Sequence, residues 1–279
     1  MDHLYFYDEG QVKITAASVG ISRARWIAIN ETDIDSGKHI DLMKSNRFDH
    51  LPIIGTNGTI TEFFKTDEPN NFNNISKHVI NYNDVISLDA NIKDVIEKFA
   101  NEKRTFFFLS FHRNISGLIT IGNLNCKQVQ IYVFSLVCDL ERNLADFLNG
   151  CKKNIEIEEW VTGKANIEDP ADKYFQILKK FKDLTEQDLE NQLTEHFFLV
   201  DFFTIISDMD LFEKLSYTKK EWKELSSINE IRKRIAHPTR CLLDKENDIF
   251  KLYSRLNKIE DLNFRLKSFE KFNSRKNHI

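Results

Sequence analysis

The chain has 279 residues, of which 41% are hydrophobic and 29% charged, and its formal net charge is −4. This apolar content is sufficient for a folded core and excludes wholesale disorder, and the length favours one or two domains or several small ones. Only nine glycines and four prolines accompany 23 phenylalanines. So few turn formers argue against a many-turned all-β protein, and the sequence contains neither a Gly-rich dinucleotide fingerprint nor a P-loop.

The first segment of the chain, about residues 12–68, predicts a helix followed by a β-hairpin. Residues 40–46 form a short helical pattern, and residues 48–54 read as a strand. Asn57-Gly58, the strongest short turn signal, connects this strand to a return strand over 60–65. The segment is therefore a small mixed unit of helix and sheet.

A second segment, about residues 85–125, follows an Asn-rich loop and repeats this layout. Its predicted elements are a strand over 86–88, a helix with Ile92, Val95, Ile96 and Phe99 on one face, a strand over 105–111, a turn over 112–116 and a return strand over 117–121. Two copies of one arrangement at this spacing indicate an internal repeat.

The two segments resemble the tandem repeats of the CBS domain family. The similarity is carried by Phe-Asp-His-Leu-Pro-Ile-Ile at 48–54, by the Asn57-Gly58 turn, and by Gly-Leu-Ile-Thr-Ile-Gly-Asn-Leu at 117–124. It implies an α+β CBS pair over residues 1–125, in which two packed repeats form clefts that bind adenine nucleotides or related adenosyl ligands.

The resemblance also implies particular ligand contacts. The family motif is Gly-x-x-Thr-x-x-Asp, whose Thr and Asp hydrogen-bond phosphate and ribose. Gly117 and Thr120 match it, whereas Asn123 replaces the Asp and lacks the charge of a carboxylate. His50 and Pro52 are the candidates in the first repeat, where the motif is degraded. The alternative is a CBS pair that only mediates dimerisation.

The second half, residues 126–279, predicts an all-α bundle, because no glycine follows Gly163 and apolar residues recur at helical spacing. Five helices are predicted: 128–148 with Gly150 as its C-cap, 171–184, a long one from 186 to about 215 with a possible break at 207–208, 219–237, and 246 to about 272.

A basic motif closes the fourth predicted helix. Arg232 and His237 are separated by four residues, and Pro238 ends the helix. Lys233, Arg234 and Arg240 surround the histidine and attract phosphate. The alternative is that these cations only cap the helix C-terminus, where the dipole favours positive charge.

This motif resembles the signature of the HEPN family, Arg then four to six residues then His, on a helix of a small bundle. Many members are metal-independent endoribonucleases that act as dimers with a composite cleft. The resemblance implies that His237 either accepts the proton of the 2′-OH or donates a proton to the 5′-oxygen, and that Arg232 clamps the phosphate, giving 2′,3′-cyclic phosphate and 5′-OH ends. Lys233, Arg234, Arg240 and Glu141 are the candidate supporting residues.

Together these patterns predict a nucleotide sensor fused to a HEPN ribonuclease, in antiviral or stress defence. Active HEPN members often carry Asn after the arginine, where this chain has Lys233. The alternative is a non-catalytic dimeric regulator, or an antitoxin-like protein, that binds a partner, RNA or nucleotide. We expect a cytoplasmic homodimer with an RNA substrate and a nucleotide-like ligand, without a membrane span, a bound metal or a catalytic cofactor.

Overall fold

The computed structural model describes residues 14–187, 192–237, 239–245 and 247–276, with side chains up to residue 271. The predicted repeat start at Val12 and the helix-ending role of Pro238 lie outside these ranges. The described chain forms two compact units, the first from residues 14–132 with 241–253, and the second from 133–240 with 254–276. The domain boundary predicted at 125/126 stays a prediction, seven residues before this division.

The first unit begins with a four-stranded sheet built on the first repeat. Its strands lie in the order β2 (Ile29–Asn30), β3 (His50–Ile54), β4 (Glu62–Thr66) and β5 (Ile75–Val79), with β2 parallel to β3 and the other pairs antiparallel. The predicted helix and hairpin are confirmed, whereas β5 was missed. The elements up to this point are α1 (Ala16–Val19), β1 (Ile21–Ser22), β2 (Ile29–Asn30), a 3-10 turn (Glu31–Ser36), α2 (Lys38–Asn46), β3 (His50–Ile54), β4 (Glu62–Thr66) and β5 (Ile75–Val79).

The second repeat builds an equivalent sheet in the order β1, β8 (Asn114–Thr120), β7 (Phe106–Phe111) and β6 (Val85–Ser87), in which β1 comes from the beginning of the first segment of the chain. Its elements are β6 (Val85–Ser87), α3 (Ile92–Glu102), β7 (Phe106–Phe111), β8 (Asn114–Thr120) and a 3-10 turn (Ile121–Asn125), with a further 3-10 turn (Tyr82–Asp84) before β6. The turn predicted over 112–116 is only two residues long. His112 and Arg113 both have positive φ, 45° and 67°, which lets the hairpin close before Asn114.

Phenylalanines alternate along β7 and explain how the two repeats share a core. Phe106 and Phe108 face the first repeat, where the ring of Phe63 meets that of Phe108 edge-on at 5.2 Å. Phe107 points to the opposite face and meets Phe99 of α3 at 4.9 Å. Because successive strand residues face opposite sides, β7 is buried on both faces and ties the repeats together.

The second unit is helical, as predicted. Helices α4 and α10 begin in the first unit and continue into the second. The helices are α4 (Lys127–Cys151), α5 (Asn154–Lys164), α6 (Lys173–Glu186), α7 (Leu199–Asp208), α8 (Lys219–Leu225), α9 (Ile228–Ile235) and α10 (Asp248–Lys276), with 3-10 turns at Leu193–His196 and Leu211–Leu215. Helix α4 runs through Gly150, so the C-cap predicted there is wrong, and α5 was missed.

The long helix predicted from 186 to about 215 is also wrong. The Asp201 carboxylate accepts a 2.8 Å hydrogen bond from the Phe198 amide, which starts α7 as a separate helix. After α7, Asp210 has φ 53° and Ser216 has φ 58°, values incompatible with a continuing helix. The described part of this stretch is therefore one helix between two 3-10 turns.

The helix predicted over 219–237 is interrupted as well. The hydroxyls of Ser226 and Ser227 donate to the carbonyl oxygens of Lys223 and Glu224 at 2.7 and 2.9 Å. Such local bonds compete with the helical ladder and separate α8 from α9. Helix α9 then ends at Ile235, so His237 lies beyond the helix and not on it.

Candidate functional site

A cleft of about 580 Å³ lies in the first unit, between the two repeats. Strands and turns of both repeats supply its walls, and the segment before α10 supplies the remainder. Its lining comprises Ile21, Arg25, Trp26, Ile27, Arg47, Phe48, Asp49, His50, Thr105, Phe106, Leu118, Thr120, Ile121, Gly122, Asn125, Leu243, Asp244 and Lys245. This volume lies within the range of small-molecule sites.

One wall of the cleft is aromatic. The imidazole of His50 at the start of β3 stacks on the ring of Phe106, with centroids 4.3 Å apart and planes 10° from parallel. Burial lowers the pKa of His50 to about 4, because a charged imidazolium loses its hydration there, and nearby Lys65 lowers it further. His50 is therefore neutral at physiological pH and acts as a flat, uncharged surface.

The cleft also carries charge of both signs. Arg25, Arg47 and Lys245 contribute three cationic side chains, against the carboxylates of Asp49 and Asp244. The Asp49 carboxylate already accepts hydrogen bonds from the Thr66 hydroxyl at 3.1 Å and from the Asn70 amide at 2.7 Å. The cleft therefore favours an anionic group on a ligand that also has an apolar, planar part.

The predicted ligand residues divide into two groups. His50 and Thr120 line the cleft, whereas Gly117, Pro52 and Asn123 do not. The Asn123 side-chain oxygen accepts hydrogen bonds from both the amide and the hydroxyl of Thr120, at 2.8 and 3.0 Å. These bonds give Asn123 a local role in closing the turn after β8.

Gly117 and Pro52 have structural positions. A Cβ atom on Gly117 would lie 2.6 Å from the Ile21 carbonyl oxygen, so only glycine allows β1 to pair with β8 at this point. Pro52 is buried in β3, opposite Phe63 of β4. The roles predicted for these two residues in ligand contact stay predictions.

The sequence analysis missed most of the cleft lining. Arg25 and Trp26 stand in a basic and aromatic stretch, Ser-Arg-Ala-Arg-Trp, which is a usable signal. Arg47 follows α2 directly and has φ 53°, where it caps the helix. Asn125 and Lys245 are 120 positions apart, and no local pattern connects them.

The second candidate site surrounds Arg232 in the helical unit. Its Nε lies 3.4 Å from Oε1 of Glu141 on α4, and its guanidinium carbon lies 5.2 Å from the ring centre of Phe198. Glu141, a candidate supporting residue, has a buried Oε1 atom. The ion pair and the cation–π contact together hold Arg232 at one end of a groove of about 450 Å³.

His237 is separate from this groove. The groove is lined by Phe198, Leu199, Val200, Ser226, Asn229, Glu230, Arg232 and Lys233. His237 is exposed in the turn after α9, where its amide donates to Arg234 and its carbonyl accepts from Arg240. Lys233 pairs with Glu230 at 3.1 Å. The geometry therefore brings Arg232 and Glu141 together but does not place His237 in the same groove.

Within the described ranges, no group of three or more His, Cys, Asp or Glu side chains is arranged to hold a metal ion. None of the helices in those ranges is both long and apolar enough to cross a membrane.

Comparisons with known proteins find similarity to solved structures only. No protein-family model matches the chain, and no curated protein matches its sequence. A structure of the CBS domains of a transcriptional regulator from Streptococcus pneumoniae is 16% identical, covers 40% of this chain and 96% of its own, and has a TM-score of 0.31. The CBSX2 protein in complex with AMP is 14% identical, covers 42% of this chain and 97% of its own, and has a TM-score of 0.32. A hemolysin-like protein containing a CBS domain, from Oenococcus oeni, is 16% identical, and the match covers 40% of this chain and 88% of that protein's chain, with a TM-score of 0.30.

Proposed function

We propose that the first unit is a CBS pair that binds a nucleotide-type ligand, with an adenine nucleotide as the first candidate. The observation that carries this proposal is the combination, in one cleft, of the stacked pair His50 and Phe106 with three cationic side chains. A nucleobase is planar and largely apolar on its faces, whereas a phosphate is anionic. The cleft offers a complementary surface for each part.

The parts of the ligand can be assigned to parts of the cleft. The base lies against the apolar and aromatic wall, where Trp26, Ile27 and the neutral ring of His50 exclude water. The phosphate lies among Arg25, Arg47 and Lys245. The Thr120 hydroxyl donates to Asn123, and its oxygen keeps a lone pair for a ribose hydroxyl.

Calorimetric titration with AMP and with adenosine tests this assignment. Arg47→Gln removes one cation while it keeps a long polar side chain at the same backbone position. We expect AMP binding to weaken about tenfold and adenosine binding to stay unchanged, because a charge-assisted hydrogen bond contributes about 1.5–3 kcal/mol.

Lys44→Gln is the matched control. Lys44 is an exposed cation of α2, the helix that Arg47 caps, and does not line the cleft. If both substitutions weakened AMP binding equally, Arg47 would contribute only through the overall positive charge of this region and not through a direct contact with the phosphate. Absence of binding of either compound to the wild-type protein would refute the nucleotide proposal.

A second function is favoured by the position of Arg232. We propose that the helical unit is a HEPN-type endoribonuclease domain in which Arg232 binds the scissile phosphate and His237 transfers the proton. The support is the anchoring of Arg232 by Glu141 and Phe198, together with an exposed His237 five residues further along a basic stretch of the chain. The 2′-OH of RNA is the nucleophile, so the chemistry needs no metal.

An RNA cleavage assay in EDTA tests this second function. Arg232→Ala and His237→Ala should each abolish cleavage, and the wild-type products should carry 2′,3′-cyclic phosphate and 5′-OH ends. Lys220→Ala, which removes an exposed cation from α8, should retain activity. RNA binding without cleavage by the wild-type protein would favour the non-catalytic regulator, and cleavage that survives both substitutions would exclude this site.

A further inference from the structure

The segment that follows the Arg232 region returns to the first unit. Residues 241–253 belong to that unit, although the helical unit precedes and follows them in the chain. Leu243, Asp244 and Lys245 line the cleft together with residues of both repeats. The cleft is therefore completed by a part of the chain that neither repeat contains.

This segment is fixed to the first unit at both ends. The Asn125 amide group donates to the Leu243 carbonyl at 2.9 Å, and the Leu243 amide donates to the Asn125 oxygen at 2.8 Å. At the other end, the Tyr253 hydroxyl donates to Glu97 of α3 at 3.0 Å. Within the segment four apolar side chains are buried: Leu242, Leu243, Ile249 and Leu252.

The paired hydrogen bonds define the position of the segment. An asparagine side chain that bonds both backbone groups of one residue fixes that residue in two directions, as a strand partner would. Asn125 itself stands at the end of the 3-10 turn after β8, beside the cleft. The backbone leading to Lys245 is thus set by a residue of the second repeat.

We propose that Lys245 is a phosphate-binding residue of the cleft and that Asn125 is the positioning residue that holds its segment in place. This inference rests on the proposed nucleotide function and assigns one of its contacts. Lys245 is exposed, so its long side chain is free to reach a phosphate that Arg25 and Arg47 also attract. A bound phosphate also offsets the repulsion among these three cations.

Titration of the full chain with AMP and adenosine tests the contact. Lys245→Gln should weaken AMP binding about tenfold and leave adenosine binding unchanged. Lys251→Gln is the matched control, because Lys251 is an exposed cation of α10 that pairs with Asp248 outside the cleft. Equal AMP affinity of Lys245→Gln and the wild-type protein would overturn the proposal.

Asn125→Ala tests the positioning role. We expect weaker AMP binding, and we expect no further loss when Lys245→Gln is added, because the two residues act on one contact. Additive losses would overturn the positioning role. Amide hydrogen exchange reports directly on whether the segment is held in place, which an affinity does not. AMP should slow exchange in residues 241–245 of the wild-type protein, and it should not slow exchange there in Asn125→Ala.

The outcomes separate this inference from the proposed function. Failure of the wild-type protein to bind AMP and adenosine would refute both. Binding that depends on Arg47 and not on Lys245 would leave the cleft as a nucleotide site and refute only the contribution of the 241–245 segment.

Discussion

The burial of His50 and its lowered pKa predict a specific loss of stability in acid. Its pKa is about 4 in the folded protein and 6.5 in an unfolded chain, so the unfolded state takes up a proton first as the pH falls. The stabilising contribution is therefore complete above pH 6.5 and is lost between pH 6.5 and pH 4. Replacing His50 by Phe keeps a flat ring against Phe106 and removes the titration.

The size of the effect follows from the two pKa values. Between pH 7.5 and pH 5 the wild-type protein should lose about 2 kcal/mol of unfolding free energy through His50 alone. Carboxylates titrate in the same range in both proteins, so the relevant quantity is the unfolding free energy of the wild-type protein minus that of His50→Phe. This difference should fall by about 2 kcal/mol between pH 7.5 and pH 5.

Urea unfolding measures this difference. Trp26 lies in the first unit, so its fluorescence reports on that unit when Trp160 and Trp222 of the helical unit are replaced by Phe. His112→Asn is the control, because His112 is exposed and has φ 45°, a conformation that Asn tolerates. An identical pH dependence of the wild-type protein and His50→Phe would refute the account, as would an NMR titration of His50 near pH 6.5.

Three further substitutions test the packing. Gly117→Ala should destabilise the first unit by about 3 kcal/mol, measured by thermal unfolding, because its Cβ would lie 2.6 Å from the Ile21 carbonyl oxygen. Gly150→Ala is its contrast, since nothing lies within 4 Å of a Cβ there, and it should stabilise α4 by about 0.5–1 kcal/mol in the same measurement. Asp201→Asn should cost about 2 kcal/mol in urea unfolding, because Asp201 is 1% exposed and pairs with Lys173; equal stability of this variant would show that the pair contributes nothing.

The repeat layout was predictable because local signals define it. Helical spacing located α3, a β-branched and aromatic run located β7, and Asn57-Gly58 located the first hairpin. Strand β5 (Ile75–Val79) was missed because three consecutive polar or charged residues separate its two apolar ones, and because it lies at an exposed edge of the sheet. Helix α5 was missed because it buries only Ile157 and Val161, too few for a visible pattern.

The candidate sites were less predictable than the fold. The Arg232 region was found from its motif, yet Phe198 and the buried contact of Glu141 depend on helices that are distant in sequence. In the cleft, His50 and Thr120 were found through the repeat pattern. The position of Lys245 depends on hydrogen bonds between Asn125 and Leu243, which are 118 positions apart, and reasoning from a single sequence does not contain such a pairing.

The return of residues 241–253 to the first unit has a practical consequence for dissecting the gene. A fragment that stops at residue 125 lacks Leu242, Leu243, Ile249 and Leu252, so it would carry an uncovered apolar surface and be prone to aggregate. A fragment beginning at 126 would present the same side chains without their partners. Insolubility of either fragment would therefore reflect where the chain was cut, and expression of the intact chain is the sound starting point for assigning an activity to either half.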